Sequence, residues 1–160
     1  MSTFLKKESF TRMKPKEPAT EYQLFQPFIG KWKTTGKMYA TRDTPEQKIT
    51  GTDTYSWMTG KYFILHKADV LMGDQRNKVL EIIGYDARSK AFSMQSYNNT
   101  GQSTKMKATY SKRGWKFEGS GMRFRGDFNA KKDIISGIWE KGGKSGNWKP
   151  VMKIKLERMR

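Results

Sequence analysis

The stretch WKPVMKIKLE (residues 148–157) decides the fold class, because its apolar and charged side chains alternate. Trp148, Met152, Ile154 and Leu156 share one side of the alternation, and Lys149, Val151, Lys153, Lys155 and Glu157 share the other. A period of two is typical of a β-strand with one buried face and one face in water. We therefore predict a strand here whose tryptophan, methionine, isoleucine and leucine point into a core.

The same alternation recurs along the chain after Gly30, and short turn signals separate its segments. Candidate strands begin at Lys31, Gln47, Lys61, Lys78, Ala91, Gln102, Trp115, Met122, Ile134 and Trp148. Thr59-Gly60 and Ser120-Gly121 are expected to form two-residue hairpin turns. A meander of about ten strands tends to close, because closure removes its exposed edges. The sequence therefore predicts an all-β fold, an up-and-down antiparallel barrel of about ten strands with a short N-terminal helix.

The N-terminal part of the chain divides into two segments. Residues 1–19 are polar, basic and interrupted by Pro15 and Pro18, which predicts a flexible basic arm. From Thr20, apolar residues recur at mixed helical spacing as far as Pro27, which favours one or two helical turns capped by Thr20. A helix this short must dock on another element. The predicted domains are the arm over residues 1–19 and one barrel over residues 20–160.

Composition excludes several classes of function. The 160 residues include 32 Lys+Arg, 15 Asp+Glu, one His and no Cys, for a formal net charge of +17. Without Cys there are no disulfides or thiolate metal sites, and one His excludes a multi-histidine site, so we expect no metal and no cofactor. Much of the charge belongs to the wet strand faces. The N-terminus lacks the apolar core of a signal peptide and no stretch could span a bilayer, so we expect a cytoplasmic protein without membrane insertion.

Turn lengths fix the register of neighbouring strands, and the register predicts one inner face. The predicted cross-strand partners are Trp57–Tyr62, Tyr55–Ile64, Asp53–His66, His66–Ile83, Ala68–Glu81, Ile83–Met94, Glu81–Ser96 and Tyr85–Phe92. The resulting candidate ligand-binding face consists of Asp53, Tyr55, Trp57, Tyr62, Ile64, His66, Glu81, Ile83, Tyr85, Phe92, Met94 and Ser96.

This face is largely apolar, with a polar patch of Asp53, His66, Glu81 and Ser96. An apolar hollow with a few convergent polar groups is typical of a small-molecule site. The four polar side chains could instead satisfy one another as an inert network. A carboxylate beside His66 would raise its pKa, which leaves open an enzyme that uses His66 with Asp53 or Glu81 as acid and base.

Several short motifs carry a resemblance to a known family. They are Leu24 through Trp32, Gly60 through Phe63 followed by His66, Ile83 through Asp86, Tyr97 through Gly101, Gly114-Trp115, Gly137 through Glu140, and Gly146 through Met152. In this order they resemble an uncharacterised bacterial family of lipocalin-like (calycin-like) β-barrels, a domain of unknown function. The resemblance implies a barrel that holds a small apolar ligand. It also implies a structural role for Gly30, Trp32 and Arg158, with Arg158 stacked on Trp32 at the base of the barrel.

On these grounds we expect a binding protein rather than an enzyme, with a small hydrophobic or amphipathic ligand inside the barrel. Lysines near the barrel mouth would favour an anionic head group. A basic barrel that binds nucleic acid is the weaker alternative, and it requires binding that falls steeply with salt. The oligomeric state stays open.

Overall fold

The computed structural model describes residues 17–142 and 146–160 of the chain, and they form one short 3-10 helix and ten strands. The helix spans Thr20–Phe28, and the strands are β1 (Gly30–Met38), β2 (Gln47–Trp57), β3 (Phe63–Met72), β4 (Gln75–Asp86), β5 (Ala91–Asn98), β6 (Ser103–Ser111), β7 (Gly114–Gly119), β8 (Met122–Phe128), β9 (Ile134–Gly142) and β10 (Trp148–Arg158). The predicted basic arm lies outside the described residues as far as residue 16. No helix in the described part of the chain has the length and apolarity to cross a membrane.

The ten strands form one closed antiparallel barrel. Each strand pairs with the next one in sequence, and β1 closes the barrel by pairing with β10. This arrangement confirms the predicted all-β, up-and-down barrel of about ten strands. The predicted starts of β3 and β4 are displaced, because the strands begin at Phe63 and Gln75 instead of Lys61 and Lys78.

The predicted register is wrong by two residues between β2 and β3 and between β3 and β4. The observed partners are Trp57–Ile64, Tyr55–His66, Asp53–Ala68, Ile64–Ile83, His66–Glu81 and Ala68–Val79. Between β4 and β5 the prediction is confirmed, with Ile83 opposite Met94 and Glu81 opposite Ser96. Because side chains alternate with period two, a shift of two residues leaves every residue on its predicted face.

The shift between β2 and β3 arises because their connection is longer than a two-residue turn. The loop runs from Met58 to Tyr62, and the Lys61 N–H donates to the Met58 carbonyl at 2.9 Å. Both Gly60 and Lys61 have positive φ, 85° and 58°. The prediction of a two-residue turn at Thr59-Gly60 is therefore wrong, and Tyr62 lies in the loop instead of on β3.

Three other connections form two-residue turns, one of which is Lys112-Arg113 between β6 and β7. Ser120 and Gly121 join β7 to β8 as predicted, with φ of 51° and 72°, the positive values that such hairpin turns require. Gly73 and Asp74 join β3 to β4. The loop predicted from Gly73 to Arg76 is too long by two residues, which accounts for the second register shift.

The N-terminal helix fills one end of the barrel with aromatic side chains. Tyr22, Phe25 and Phe28 are buried and three residues apart, which matches the three residues per turn of a 3-10 helix. The Phe25 ring packs edge-on against Phe92 and Trp115, with centroid distances of 4.6 Å. The predicted helix is thus present over nine residues, and its apolar face docks inside the barrel.

The start of the helix differs from the prediction. Thr20 is the first helical residue, and the N-cap is Ala19, whose side chain makes no capping hydrogen bond. The Tyr22 N–H donates to the Ala19 carbonyl at 3.1 Å. Aromatic packing inside the barrel therefore holds the helix in place of a side-chain cap.

Arg158 ties the helix to the base of the barrel. Its guanidinium lies 4.3 Å over the Trp32 ring and donates hydrogen bonds to the carbonyls of Ile29, at 2.8 Å, and Pro27. Gly30 has a φ of 137°, and a Cβ at this position would lie 2.7 Å from the Arg158 Nη1. Only glycine suits both constraints. The structure thus brings together the three residues to which the resemblance gives a structural role.

Trp148 lies on the outside of the barrel. A β-bulge between Pro150 and Met152 interrupts the alternation of β10. Trp148 therefore leaves the face of Met152 and stacks on the Arg123 guanidinium at 4.3 Å. The prediction that Trp148 points into the core is wrong, because a bulge shifts side chains to the opposite face of a strand.

Candidate functional site

The half of the barrel that the helix does not fill contains a cavity of about 320 Å³. Its apolar wall is formed by Ala68, Val70, Met72, Val79, Met94, Met106, Phe117, Trp139, Met152 and Ile154. A second, smaller cavity of about 90 Å³ lies towards the helix and borders Phe28. Both cavities share Asp53, Tyr55, His66, Phe117, Trp139 and Ile154. Asp53, Tyr55 and His66 therefore lie between the smaller cavity beside the helix and the larger cavity.

Asp53, His66 and Glu81 form a hydrogen-bonded triad on the cavity wall. The His66 Nε2 lies 2.7 Å from the Asp53 Oδ1, and its Nδ1 lies 3.0 Å from the Glu81 Oε1. The His66 side chain is 13% exposed, and the two carboxyl side chains are 8% and 10% exposed. The register explains this contact, because Glu81 lies directly opposite His66 and Asp53 lies diagonally across from it on β2.

The triad holds a proton on His66. Burial alone would lower the pKa of His66, but hydrogen bonds to Asp53 and Glu81 and the negative charges of both raise it to about 9. At neutral pH His66 is therefore an imidazolium whose two N–H groups donate to carboxylates. One imidazolium between two carboxylates gives the triad a formal charge of −1.

Tyr55 and Thr34 complete the cluster. The Tyr55 ring stacks on the His66 ring with a centroid distance of 4.0 Å and an interplanar angle of 3°. Burial raises the pKa of Tyr55 well above its ordinary value, and the charges of Asp53 and Glu81 raise it further. Thr34 is fully buried and donates through its Oγ1 to the Asp53 Oδ2. Sequence reasoning missed Thr34, although its position two residues after Trp32 on β1 places it on the inner face.

The predicted ligand-binding residues separate into two groups. Those that line the larger cavity are Asp53, Tyr55, His66, Glu81, Met94 and Ser96. Those that do not line it are Trp57, Tyr62, Ile64, Ile83, Tyr85 and Phe92. The helix separates the groups: Tyr22 enters the barrel and contacts the rings of Trp57 and Phe92, each at 5.6 Å. The second group therefore packs around the helix or, like Tyr62, lies in the loop beside it.

The far wall of the cavity comes from strands for which no register was predicted. Met106, Phe117, Trp139, Met152 and Ile154 lie on β6, β7, β9 and β10. Alternation in the sequence marks several of them as inward-facing. Only the closure of β1 on β10 brings them opposite the triad.

The geometry of the triad leaves His66 without a free ring nitrogen. Both ring nitrogens of His66 donate to carboxylates, so the imidazolium has no lone pair with which to accept a proton at neutral pH. The same occupancy leaves no ring nitrogen for a metal ion. Within residues 17–142 and 146–160, no group of three His, Asp or Glu side chains is arranged to hold a metal.

The fold and its interior define a class: a closed, ten-stranded, up-and-down β-barrel with an internal cavity. The chain belongs to the family described as a protein of unknown function (DUF1579), whose model matches residues 17–158. It is similar to the crystal structure of Rv2717c from M. tuberculosis, with a TM-score of 0.65 and 14% identity over 89% of this chain and 99% of that chain. At this identity the likeness shows the fold alone. Comparison with curated proteins gives no match.

Proposed function

We propose that the protein binds a small hydrophobic or amphipathic ligand inside its barrel. The observation that carries the proposal is the cavity of about 320 Å³, which has a mostly apolar wall and one cluster of polar groups. Protein interiors normally leave few voids larger than a water molecule. Ligand pockets of about 300–1,000 Å³ with convergent polar groups are the usual exception. The resemblance to lipocalin-like barrels supports the same mode of binding.

The cavity extends to the end of the barrel opposite the helix. Met72 and Asn98 are the last residues of β3 and β5, and both line the cavity. Gln102 lines it from the loop that follows β5. A ligand would therefore enter between the turns at this end, which we call the mouth.

The wall is suited to ligands of varied shape. Met72, Met94, Met106 and Met152 line the cavity. Methionine side chains are unbranched and polarisable, so they adjust to irregular apolar partners. This composition supports a hydrophobic ligand more than a rigid polar one.

Octanol is a suitable neutral probe, and the methionine methyl groups report where it binds. We expect titration of octanol into protein with 13C-labelled methionine methyls to shift the signals of Met94 and Met152, which line the cavity. The signals of Met58 and Met159, which do not line it, are expected to stay in place. Shifts confined to Met58 and Met159, or no shifts up to the solubility limit of octanol, would contradict binding inside the barrel.

Two matched variants separate the inside of the barrel from the outside. Val79 lines the cavity, whereas the next residue, Leu80, is 41% exposed on the outer face. Val79→Phe fills the space beside the triad and is expected to weaken octanol binding at least about tenfold. Leu80→Phe adds an aromatic ring outside and is expected to leave binding unchanged. The reverse pattern would place the ligand on the outer sheet.

Binding of nucleic acid is the second candidate, and one groove favours it. The outer faces of β6 to β9 form a groove of about 620 Å³ lined by Arg113, Lys116, Arg123, Arg125 and Asp127, and Glu140 pairs with both Arg123 and Arg125. Such a groove predicts affinity for a single-stranded oligonucleotide that falls steeply with salt. Affinity that does not change with salt would remove this candidate.

A further inference from the structure

We propose that the barrel takes an amphipathic ligand whose polar end donates hydrogen bonds, a primary ammonium group above all, and that Glu81 and the Tyr55 hydroxyl receive it. This inference rests on the proposed function and names the chemical class of its ligand. Three observations carry it: an unpaired carboxylate oxygen, an unpaired phenol oxygen and the sign of the local charge.

The first observation is the second oxygen of Glu81. Its Oε1 accepts a hydrogen bond from His66, but no described residue donates to its Oε2. Glu81 lines the larger cavity, and its side chain is 10% exposed. No buried polar side-chain atom of the described residues lacks a partner, so this oxygen is not enclosed in protein and must border the cavity. A carboxylate oxygen only accepts hydrogen bonds, so it calls for a donor on the ligand.

The second observation is the hydroxyl of Tyr55. Its ring is held by the stack on His66, yet no described residue forms a hydrogen bond with its oxygen. Tyr55 lines the same cavity as Glu81. By the same reasoning its hydroxyl is not enclosed in protein, and Tyr55 borders both internal cavities. In the proposed complex this hydroxyl accepts a second N–H from the group held by Glu81.

The third observation is the charge. The Asp53 Oδ1 accepts a hydrogen bond from His66 and its Oδ2 accepts one from Thr34. Both oxygens of the Asp53 carboxylate therefore have partners. Both ring nitrogens of His66 donate hydrogen bonds to the carboxylates of Asp53 and Glu81. The triad therefore carries a formal charge of −1, and the carboxylate oxygen that faces the cavity is the Oε2 of Glu81.

This arrangement selects among head groups. An ammonium group is attracted by the net negative charge and donates to both free oxygens, and such charge-assisted hydrogen bonds are among the strongest in proteins. A hydroxyl group can donate one hydrogen bond without the charge. A carboxylate could accept one hydrogen bond from the Tyr55 hydroxyl, but it would meet Glu81 as a like charge inside a low-dielectric cavity, which is unfavourable. The charge inside the barrel therefore opposes the anionic head group expected from the lysines near its mouth. The tail would lie along Val79, Met94 and Met152 towards the mouth.

The test compares three probes with one tail, namely octylamine, octanol and octanoate, each followed by the methionine methyl signals of the full chain near pH 7. We expect octylamine to bind about tenfold or more tightly than octanol, and octanoate to bind more weakly than octanol. Glu81→Gln removes the charge and is expected to reduce the preference for octylamine over octanol to about threefold or less. Glu118→Gln removes a carboxylate from the outside of the barrel and is expected to preserve the preference, because Glu118 pairs there with Lys116.

The outcomes separate this inference from the proposed function. If none of the three probes shifts the methyl signals of Met94 and Met152, the proposed function itself fails. If octanol binds but octanoate binds as tightly as octylamine, the barrel binds ligands and the inference about the head group is overturned. A preference for octylamine that survives Glu81→Gln unchanged would also overturn it. Thermal unfolding of each variant establishes that it is folded at the temperature of the titration.

Discussion

The protonated state of His66 makes the stability of the barrel depend on pH in a defined direction. Its pKa is about 9 in the folded protein, against 6.5 for an unperturbed histidine. The folded state therefore holds this proton more tightly than the unfolded chain. The resulting stability is fully present below pH 6.5 and is lost as the pH rises through about 9. A difference of this size corresponds to about 3 kcal/mol of unfolding free energy.

The assay is urea unfolding of the wild type and His66→Gln at about pH 6 and about pH 9.5. The wild type is expected to lose about 3 kcal/mol more than His66→Gln between these two conditions, because the titrating groups that do not contact His66 contribute equally to both proteins. His66 is the only histidine, so its imidazole signals in an NMR titration give the pKa without assignment. A pKa at or below 6.5, or equal losses in the two proteins, would refute the charged triad.

Three further changes test the closure of the barrel and its outer face. Arg158→Ala removes the hydrogen bonds to Ile29 and Pro27 and is expected to lower the unfolding free energy by about 3 kcal/mol. Arg160→Ala replaces an exposed residue and is expected to leave the unfolding free energy almost unchanged. Equal urea midpoints for the two variants would contradict the role of Arg158 in closing the barrel. Gly30→Ala combines a φ of 137° with a clash against Arg158 and is expected to lower stability by about 2 kcal/mol or more, beyond the loss in Gly121→Ala, where a Cβ meets no atom within 4 Å. A smaller loss in Gly30→Ala than in Gly121→Ala would contradict the packing at the base. Hydrogen bonds from Arg123 lower the pKa of the buried Glu140 below the ordinary glutamate value of 4.5. Stability is therefore expected to fall as the pH drops below 4.5, and to fall less in Glu140→Gln. Identical acid transitions in urea would refute that contribution.

The strand alternation was sufficient to predict the fold class and the sides of most strands. The charged residues of β1 and β10 identify the wet face, and the apolar residues between them identify the core. Even the wrong register placed Asp53, His66 and Glu81 on one face, because the error was two residues and the side-chain period is also two. The triad could therefore be predicted as a polar patch. The sequence did not predict that His66 lies opposite Glu81 instead of Ile83.

What the sequence could not reveal depends on contacts between distant segments. The helix appears in the sequence as a short apolar stretch, and nothing local indicates that Phe25 reaches Phe92 and Trp115 inside the barrel. That insertion decides which half of the inner face is filled and which half is open. Bulges are equally hard to predict, as Trp148 shows, because a single extra residue reverses the alternation. The length of the β2–β3 loop was equally hard to predict, because Lys61 adopts a positive φ that its residue type does not indicate.

The proposed function and the preference for an ammonium group both require a barrel interior that is open to a ligand as far as the triad. Intermolecular NOEs from octylamine in complex with the full chain test it most directly, because each NOE reports a distance between a ligand proton and a protein proton. We expect NOEs from the protons of the tail to the methyl groups of Met94 and Met152, and from the protons on the carbon beside the nitrogen to the ring protons of Tyr55. NOEs found only to Leu80 and Tyr97 on the outer sheet, or none at saturating octylamine, would contradict it.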